Sequence, residues 1–247
     1  MHPIKKAPFL IHALSCLLFL SLPLLTPSDA QAQERWRKVN MGWTISCDVD
    51  DGAIKKEKKT YTFSTSHNHC TGGTFNQRAE IYTKEISVSK RATYLFDTTI
   101  AFNSSKTNEF YPFQIHDGRN GCAPPLTMGV RPNGTIQLDS DYTQDRGMNG
   151  CVHNEALRRQ PHKGPRIRRD GTAQRLQVRL DFDGKGAFDV TVYIDQQNVI
   201  SGRYDPPTEA SLVRSNRFYM KHGVYSKNIF PYTMTSTDMK TYKLVGN

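Results

Sequence analysis

Apolar and polar residues alternate one by one over long stretches of this chain, and no other feature constrains its fold as strongly. Positions 176, 178, 180 and 182 are apolar with polar residues between them, and positions 188, 190, 192 and 194 repeat the pattern. A period of two residues is typical of a β-strand with one buried face. Asp183-Gly184-Lys185-Gly186 lies between the two runs, so we predict a β-hairpin there.

Further runs with strand character cover much of the chain, and helical periodicity is hard to find. Besides the hairpin, we predict strands over residues 59–64, 78–88, 94–102, 110–116, 126–130, 135–138, 199–204, 218–225 and 233–244. Many short strands separated by turns predict an all-β protein with two packed sheets, either a sandwich or a jelly roll.

The first 32 residues have the pattern of a secretory signal peptide. Two lysines precede an apolar run over residues 9–25, and Ala30-Gln31-Ala32 supplies small residues for cleavage after Ala32. The run is short and interrupted by polar residues, which makes a retained membrane anchor the weaker interpretation. We therefore expect a mature chain of residues 33–247 that is secreted or periplasmic and forms one soluble domain.

The chain has a formal net charge of +10, which suggests a polyanionic partner: an acidic polysaccharide, a nucleic acid or an anionic surface. Charge alone does not choose among these. The region 146–171 is rich in Arg, Lys and His and also contains prolines and glycines. It is either a solvated surface loop or an electropositive lid beside a groove that binds a polyanion.

Four cysteines remain after removal of the signal peptide: Cys47, Cys70, Cys122 and Cys151. In an oxidising compartment they are expected to form two disulfides, for which three pairings exist. Proximity in the sequence favours Cys47–Cys70 and Cys122–Cys151. The competing interpretation is a zinc site, but no Cys-x-x-Cys pair is present and the neighbouring histidines lack the usual ligand spacing.

Three of the predicted strands carry polar side chains on one face. Residues two apart in a strand share a face. The side chains concerned are Arg78, Glu80 and Tyr82 in the first strand, Gln114 and His116 in the second, and Tyr219, Lys221 and Tyr225 in the third. Gly223 leaves a gap between Lys221 and Tyr225. A polar, cationic and aromatic face with such a gap is a poor core and suits a sugar chain.

These segments resemble the motifs of the jelly-roll polysaccharide lyases, which include the family seven alginate lyases and the related glucuronan and heparin lyases. The matching motifs, in the order that the family has them, are Arg78-Ala79-Glu80, Gln114-Ile115-His116 and Tyr219-Met220-Lys221-His222-Gly223-Val224-Tyr225. The resemblance implies a concanavalin-like β-jelly roll, a two-sheet sandwich with a concave groove, over residues 33–247. Tyr82 stands where alginate lyases often have a second arginine, and residues 124–126 and 188–204 look closer to the glucuronan and heparin lyases.

The resemblance implies cleavage of a uronic-acid polymer by β-elimination. Such an enzyme removes the proton at C5, beside the carboxylate, and expels the oxygen at C4, so the carboxylate charge must be offset as the enediolate forms. A guanidinium fits a planar carboxylate. The implied catalytic residues are Arg78 and Gln114 for charge neutralisation, His116 as the base and Tyr225 as the acid, although one tyrosine does both jobs in some relatives. The implied substrate-binding residues are Glu80, Tyr82, Tyr219 and Lys221.

Other enzymatic and metal-binding functions fit the sequence less well. A jelly-roll glycoside hydrolase would need two carboxylates, and Glu80 has no acidic partner two residues away on either side. Residues 48–52 resemble a calcium loop, but Lys59 stands where an EF-hand has glutamate. A structural calcium ion held by other acidic loops stays open, whereas the resemblance implies no organic cofactor and no catalytic metal.

The alternative function is a non-catalytic, lectin-like module that binds polyanionic glycans on the same face. A nucleic-acid binder would need aromatic residues among the basic ones, and residues 158–169 contain none. We therefore expect an acidic polysaccharide as the partner, no nucleic acid, no membrane association after signal cleavage, and a monomer.

Overall fold

The structure is a computed structural model that describes residues 34–144, 150–208 and 211–245. The signal peptide expected at residues 1–32 lies outside the described residues, as do residues 146–149 of the basic region. The described part of the chain contains no helix with the length and apolar character needed to cross a membrane.

The described residues form seventeen β-strands and one short helix. They are β1 (Arg35–Val39), β2 (Thr44–Ile45), β3 (Ile54–Glu57), β4 (Thr60–Ser64), β5 (Gln77–Tyr82), β6 (Ile86–Ser87), β7 (Arg91–Asn103), β8 (Phe110–His116), β9 (Leu126–Val130), β10 (Ile136–Asp139), β11 (Asp141–Thr143), β12 (Cys151–His153), α1 (Glu155–Arg158), β13 (Asp170–Asp183), β14 (Phe188–Ile194), β15 (Gln197–Tyr204), β16 (Arg217–Ser226) and β17 (Thr233–Val245).

Two antiparallel sheets form the body of the molecule. The larger, eight-stranded sheet has the order β15-β14-β13-β7-β17-β4-β3, with β1 paired to β17. The smaller, seven-stranded sheet has the order β10-β9-β8-β16-β5-β2, with β6 paired to β16, and β11 and β12 form a separate two-stranded ribbon. Several paired strands, such as β7 with β17 and β5 with β16, are far apart in sequence, as in a jelly roll. The all-β, two-sheet prediction is confirmed.

The core lies between the facing sides of the two sheets and follows directly from the alternation in the sequence. In β13, Leu176, Val178 and Leu180 are fully buried, whereas Arg179 between them points away from the core. Full burial of each such side chain contributes about 1.5–3 kcal/mol. Phe113 of β8 and its neighbours contribute the same kind of side chain from the smaller sheet, so the opposite face of that sheet is left free for polar residues.

Two differences from the predicted elements have local causes. The run 78–88 divides into β5 and β6 because Thr83 interrupts the ladder: its Oγ1 accepts the backbone N–H of Met220 at 3.0 Å. Helix α1 interrupts the predicted loop because Asn154 caps it, accepting the N–H of Leu157 at 3.2 Å, and Leu157 is buried. The short, largely polar strands β1, β2 and β3 carry too little alternation to have been predicted.

Both favoured disulfides are present, Cys47–Cys70 and Cys122–Cys151, with Cα–Cα distances of 5.4 and 5.5 Å. The pairing predicted from proximity is therefore confirmed. Because all four sulfur atoms are in disulfides, they cannot bind zinc as thiolates. The first bridge ties the β4–β5 connection to the β2–β3 connection. The second ties the β8–β9 connection to the start of β12.

Two arginines of the basic region serve the fold. Arg158 Nε lies 2.7 Å from Asp139 Oδ1, which holds α1 against β10. Arg169 donates to the carbonyl of Asn108 at 2.9 Å, and its guanidinium lies 5.2 Å from the ring centroid of Phe110. These side chains are fixed to the sheet edge and are not free elements of a lid.

Candidate active site

A cavity of about 370 Å³ lies on the polar face of the smaller sheet, over β5, β8 and β16. Residues 70–75 form one wall and residues 118–124 form the other. The side chains of Arg78, Gln114, His116, Lys221 and Tyr225 line it together. Six of the eight residues that the sequence placed on one face, these five and Tyr219, therefore meet in one cleft, whereas Glu80 and Tyr82 do not line it.

The register of the strands explains this meeting. Lys221 on the central strand β16 lies opposite Gln114 of β8 on one side and Tyr82 of β5 on the other. Two residues before Lys221 in β16, Tyr219 lies opposite His116 of β8. Four residues after Lys221, Tyr225 lies opposite Arg78 of β5. Because side chains alternate across a strand, all of these point to the same side of the sheet.

A single buried carboxylate holds the floor of the cleft together. Glu80 is fully buried, and its Oε1 accepts a hydrogen bond from Gln114 Nε2 at 2.5 Å. Its Oε2 lies 3.1 Å from Lys221 Nζ and 3.3 Å from Arg78 Nε, at ion-pair distance. Glu80 itself does not line the cleft; it holds in place three side chains that do, those of Gln114, Lys221 and Arg78. One carboxylate against two cations leaves this cluster with a net charge of +1, which matches one sugar carboxylate.

Burial changes both the pKa of Lys221 and the strength of its electrostatic interactions. The side chain is almost wholly buried, and this loss of solvent lowers the pKa of Lys221, while the Glu80 charge acts in the opposite direction. Interactions in such surroundings are stronger than on the surface because the effective dielectric is lower. The ammonium group has hydrogens left over from its contact with Glu80, and these can meet an anion in the cleft.

Arg78 links the carboxylate cluster to Tyr225. Its guanidinium carbon lies 4.4 Å from the centroid of the Tyr225 ring. On its other side, Nη1 lies 2.8 Å from Cys70 Sγ of the first disulfide. The guanidinium is thus held in place by a carboxylate, a ring and a disulfide, so its position is set before any ligand arrives.

Tyr225 is held by its hydroxyl and by its ring. The Oη atom accepts the backbone N–H of Thr74 at 3.2 Å and that of Phe75 at 3.0 Å, and the Phe75 ring stacks on the tyrosine ring at 4.8 Å. Thr74 and Phe75 were not predicted from the sequence as site residues. Gly72-Gly73 beside Cys70 indicates a tight, bridged turn, but no local signal indicates that its N–H groups reach a tyrosine 150 positions later.

His116 is a neutral ring of fixed tautomer. Its Nδ1 accepts the backbone N–H of Gly118 at 2.8 Å, and the ring stacks on Tyr219 at 5.3 Å. Burial, followed by the charge of Lys221, lowers the pKa of His116 to about 4. Because a backbone N–H can only donate, Nδ1 is unprotonated and Nε2 carries the hydrogen. In this state the histidine offers a donor.

The two remaining aromatic residues form the rim of the cleft. Tyr82 and Tyr219 meet edge to face, with ring centroids 5.8 Å apart. Burial, followed by the charge of Asp117, raises the pKa of Tyr219 to about 12, so the phenol stays protonated. Tyr82 is exposed and lies just outside the cavity wall. Their ring faces and hydroxyl groups suit a sugar.

Gly223 has a stricter role than the gap expected from the sequence. It lies opposite Glu80 with φ +145°, a conformation that side chains rarely adopt. A Cβ atom at this position would lie 2.1 Å from the carbonyl oxygen of Ala79. Only glycine lets β16 approach β5 closely enough to bring Lys221 and Glu80 together.

The described residues offer little to a metal ion. One group of three metal-type side chains comes together, Cys122, Asp141 and Cys151, but both sulfur atoms form a disulfide. In the calcium-like segment, hydrogen bonds from His69 and from His67 hold the pKa of Asp50 well below its usual range. That carboxylate serves to fix residues 67–69.

Comparisons with known proteins give the fold. No protein-family model matches the chain, and no curated protein matches it. Among solved structures, the polysaccharide lyase family 18 protein aly-SJ02 has a TM-score of 0.52 at 14% identity, over 83% of this chain and 95% of that chain. The alginate lyase AlgAT5 from family 7 has a TM-score of 0.51 at 11% identity with the same coverage.

An alginate lyase from Alteromonas sp. 272 has a TM-score of 0.50 at 12% identity, again over 83% of this chain and 95% of that chain. Identities this low carry the fold and no more. The resemblance found in the motifs is therefore matched by a likeness in three dimensions: the chain has the β-jelly roll of the polysaccharide lyases.

Proposed function

We propose that this protein is an exported polysaccharide lyase that cleaves a uronic-acid polymer by β-elimination. The observation that carries the proposal is the convergence of Arg78, Gln114, His116, Lys221 and Tyr225 in one cleft of a jelly roll. Two of the structural neighbours are described as alginate lyases, which supports a polyuronate as the substrate. The two disulfides support export.

In this proposal, the charge cluster binds the sugar carboxylate. Lys221 Nζ, the Arg78 guanidinium and the Gln114 amide offset the negative charge, which grows as the C5 proton leaves. The His116 Nε2–H donates to the same group. Donors that are already in position need no rearrangement when the enediolate forms, and each is typically worth about 10²–10³-fold in rate.

We assign both proton transfers to Tyr225. Its phenolate takes the C5 proton, the C4–O4 bond breaks, the C4=C5 double bond forms, and the resulting phenol protonates O4. The family resemblance implied His116 as the base. The hydrogen bond from Gly118 N–H to Nδ1 leaves Nε2–H of that ring as a donor, so we assign the role of base to Tyr225. The assignment requires a uronate whose C5 hydrogen and O4 lie on one face of the ring.

Two substitutions separate the roles of His116. His116→Asn keeps an N–H donor, so we expect turnover to fall about tenfold, whereas His116→Ala removes the donor and should lower it about 10²–10³-fold. Initial rates of formation of the unsaturated uronyl end, read by ultraviolet absorbance, measure both. Equal and complete loss of turnover in both variants would return the role of base to His116.

The alternative is a lectin-like module, favoured by the aromatic rim of Tyr82 and Tyr219. A screen of acidic polysaccharides that includes alginate blocks of each C5 epimer, polyglucuronate and heparin separates the two functions. A lyase yields unsaturated products on at least one polymer, and turnover should favour the epimer with C5 hydrogen and O4 on one face. Binding without new absorbance on any polymer would establish the lectin.

A further inference from the structure

Residues 70–75 form a wall of the cleft that is fastened at several points. The Cys47–Cys70 disulfide fixes one end of the segment. Asn68 fastens both ends: its Oδ1 accepts the N–H of Cys70 at 3.0 Å, and its Nδ2 donates to the carbonyl of Phe75 at 2.7 Å. Gly73 packs so closely on this amide that a Cβ there would lie 2.1 Å from Nδ2.

The segment meets two proposed catalytic groups. Its N–H groups at Thr74 and Phe75 both point at Tyr225 Oη, at 3.2 and 3.0 Å, and Phe75 stacks on the ring. Its Cys70 sulfur lies 2.8 Å from Arg78 Nη1. Two backbone N–H groups that converge on one oxygen form the arrangement that proteins use to stabilise an oxyanion.

We infer that the segment 70–75, held by the Cys47–Cys70 disulfide and by Asn68, is a positioning element whose two N–H groups stabilise negative charge on Tyr225 Oη. The inference rests on the proposed function, because it concerns the phenolate charge that Tyr225 carries before it takes the C5 proton and again after it protonates O4. The Thr74 and Phe75 N–H groups do for the enzyme's own phenol oxygen what an oxyanion hole does for a substrate. Asn68 and Cys47 act through them and touch no reacting atom.

If the segment 70–75 positions the two N–H groups, variants that release this segment should lose turnover but still bind substrate. Cys47→Ser with Cys70→Ser should lower kcat about tenfold to a hundredfold, with KM changed less than about twofold, because Arg78 keeps its contacts with Glu80 and with the Tyr225 ring. Asn68→Ala keeps the disulfide and should lower kcat in the same way, about tenfold. If the double serine variant does not fold, Asn68→Ala serves as the test in its place.

The second disulfide is the matched control for stability. Cys122–Cys151 closes 29 residues and Cys47–Cys70 closes 23, so removal of either should lower stability by a similar amount. Cys122 lies in the opposite wall of the cleft, so its loss should act on KM. An equal fall in kcat for the two disulfide variants would overturn the inference, because it would mark a general effect of stability.

A measurement without substrate tests the contact itself. Amide hydrogen exchange at Thr74 and Phe75, followed by NMR, should be at least tenfold faster in Tyr225→Phe than in the wild type, because the acceptor is gone. Unchanged exchange at both amides would overturn the inference even if the protein is a lyase. If exchange responds but the wild type turns over no uronate polymer, the contact stands, and both the proposed function and the role in it are wrong.

Discussion

The two sheets hold charged side chains in opposite surroundings. In the cleft of the smaller sheet, Glu80 and Lys221 are 0% and 3% exposed and form an ion pair at 3.1 Å. On the outer face of the larger sheet, Arg179 pairs with Asp181 and Glu34, both at 3.0 Å, with side chains 27%, 34% and 46% exposed. The ion-pair distances are alike, whereas the exposure of the paired side chains to water differs.

That difference separates structural charges from functional ones. Exposed ion pairs typically stabilise a protein by about 0–1 kcal/mol. A buried pair carries a desolvation cost, and apolar residues of similar size would often serve stability as well or better. The cleft nevertheless buries two cations, a carboxylate and an amide on one floor. We infer that these residues serve the chemistry of the cleft, whereas the outer pairs serve solubility and sheet register.

The largest expected effect follows from removing the cleft cation. Lys221→Met should lower kcat/KM on a uronate polymer by about 10²–10³-fold, because it removes charge that offsets the enediolate. It should also lower the free energy of unfolding by about 3 kcal/mol, since Glu80 loses a partner while buried. Polymer kinetics and urea unfolding measure the two effects, and a variant within twofold of wild-type turnover would remove Lys221 from the site.

The second effect compares two glycines, one in a strand of the smaller sheet and one in a turn of the larger sheet. In Gly223→Ala, the new Cβ would meet the β5 backbone, so we expect a loss of about 3 kcal/mol. Gly186 lies in the β13–β14 turn with φ +94°, and a Cβ added there would meet no atom within 4 Å, so Gly186→Ala should lose only the backbone strain, about 1–2 kcal/mol. Urea unfolding of both variants tests the difference, and equal losses would contradict the close approach of β16 to β5.

The third effect concerns two histidines on opposite faces of the smaller sheet. Burial lowers the pKa of His116 in the cleft and of His222 in the core to about 4, from an ordinary 6.5. Between these values the unfolded chain binds more protons than the folded one, so stability falls as the pH drops from 6.5 to 4. Each histidine contributes a slope of about 1.4 kcal/mol per pH unit in this window.

His222→Gln separates the two histidines. His222 Nδ1 donates to the carbonyl of Pro112 and Nε2 contacts Ser236 Oγ, and glutamine keeps polar atoms at this site without titrating. The free energy of unfolding, measured from pH 7 to pH 4.5, should fall less steeply in the variant by about 1.4 kcal/mol per pH unit. Parallel curves for variant and wild type would show that His222 is not held neutral by the core.

The smallest effect is expected on the outer face. Arg179→Met removes both ion pairs of Arg179, yet we expect a loss of at most about 1 kcal/mol and unchanged turnover, because water already screens these charges. Urea unfolding and polymer kinetics, run beside Lys221→Met, complete the comparison. A loss of several kcal/mol on the outer face would contradict the distinction drawn between the two sheets.

Alternation was enough to predict most of the fold. The runs around Leu176 and Phe188 gave β13, β14 and their turn, and the predicted strands 110–116 and 126–130 coincide with β8 and β9. Elements without alternation were missed. Helix α1 depends on a single cap at Asn154, and Thr83 ends β5 through a contact with β16 that is distant in sequence.

The candidate site was predictable where it lies on strands and hidden where it depends on loops. The period of two was sufficient to put Arg78 and Lys221 on one face of a sheet, and the register then brought them together. The N–H groups of Thr74 and Phe75 belong to the backbone and leave no mark on residue type. The tautomer of His116 likewise depends on the N–H of Gly118, two residues later.

The most direct test of the account follows the C5 proton. A uronate oligosaccharide from the polymer that the screen identifies, prepared with deuterium at C5, should be cleaved more slowly than the unlabelled one and yield a C4=C5 double bond visible by NMR. Tyr225→Phe should bind the same oligosaccharide with similar affinity and form no product, a loss of at least about 10³-fold. Wild-type turnover in Tyr225→Phe, or a product without the double bond, would contradict the account.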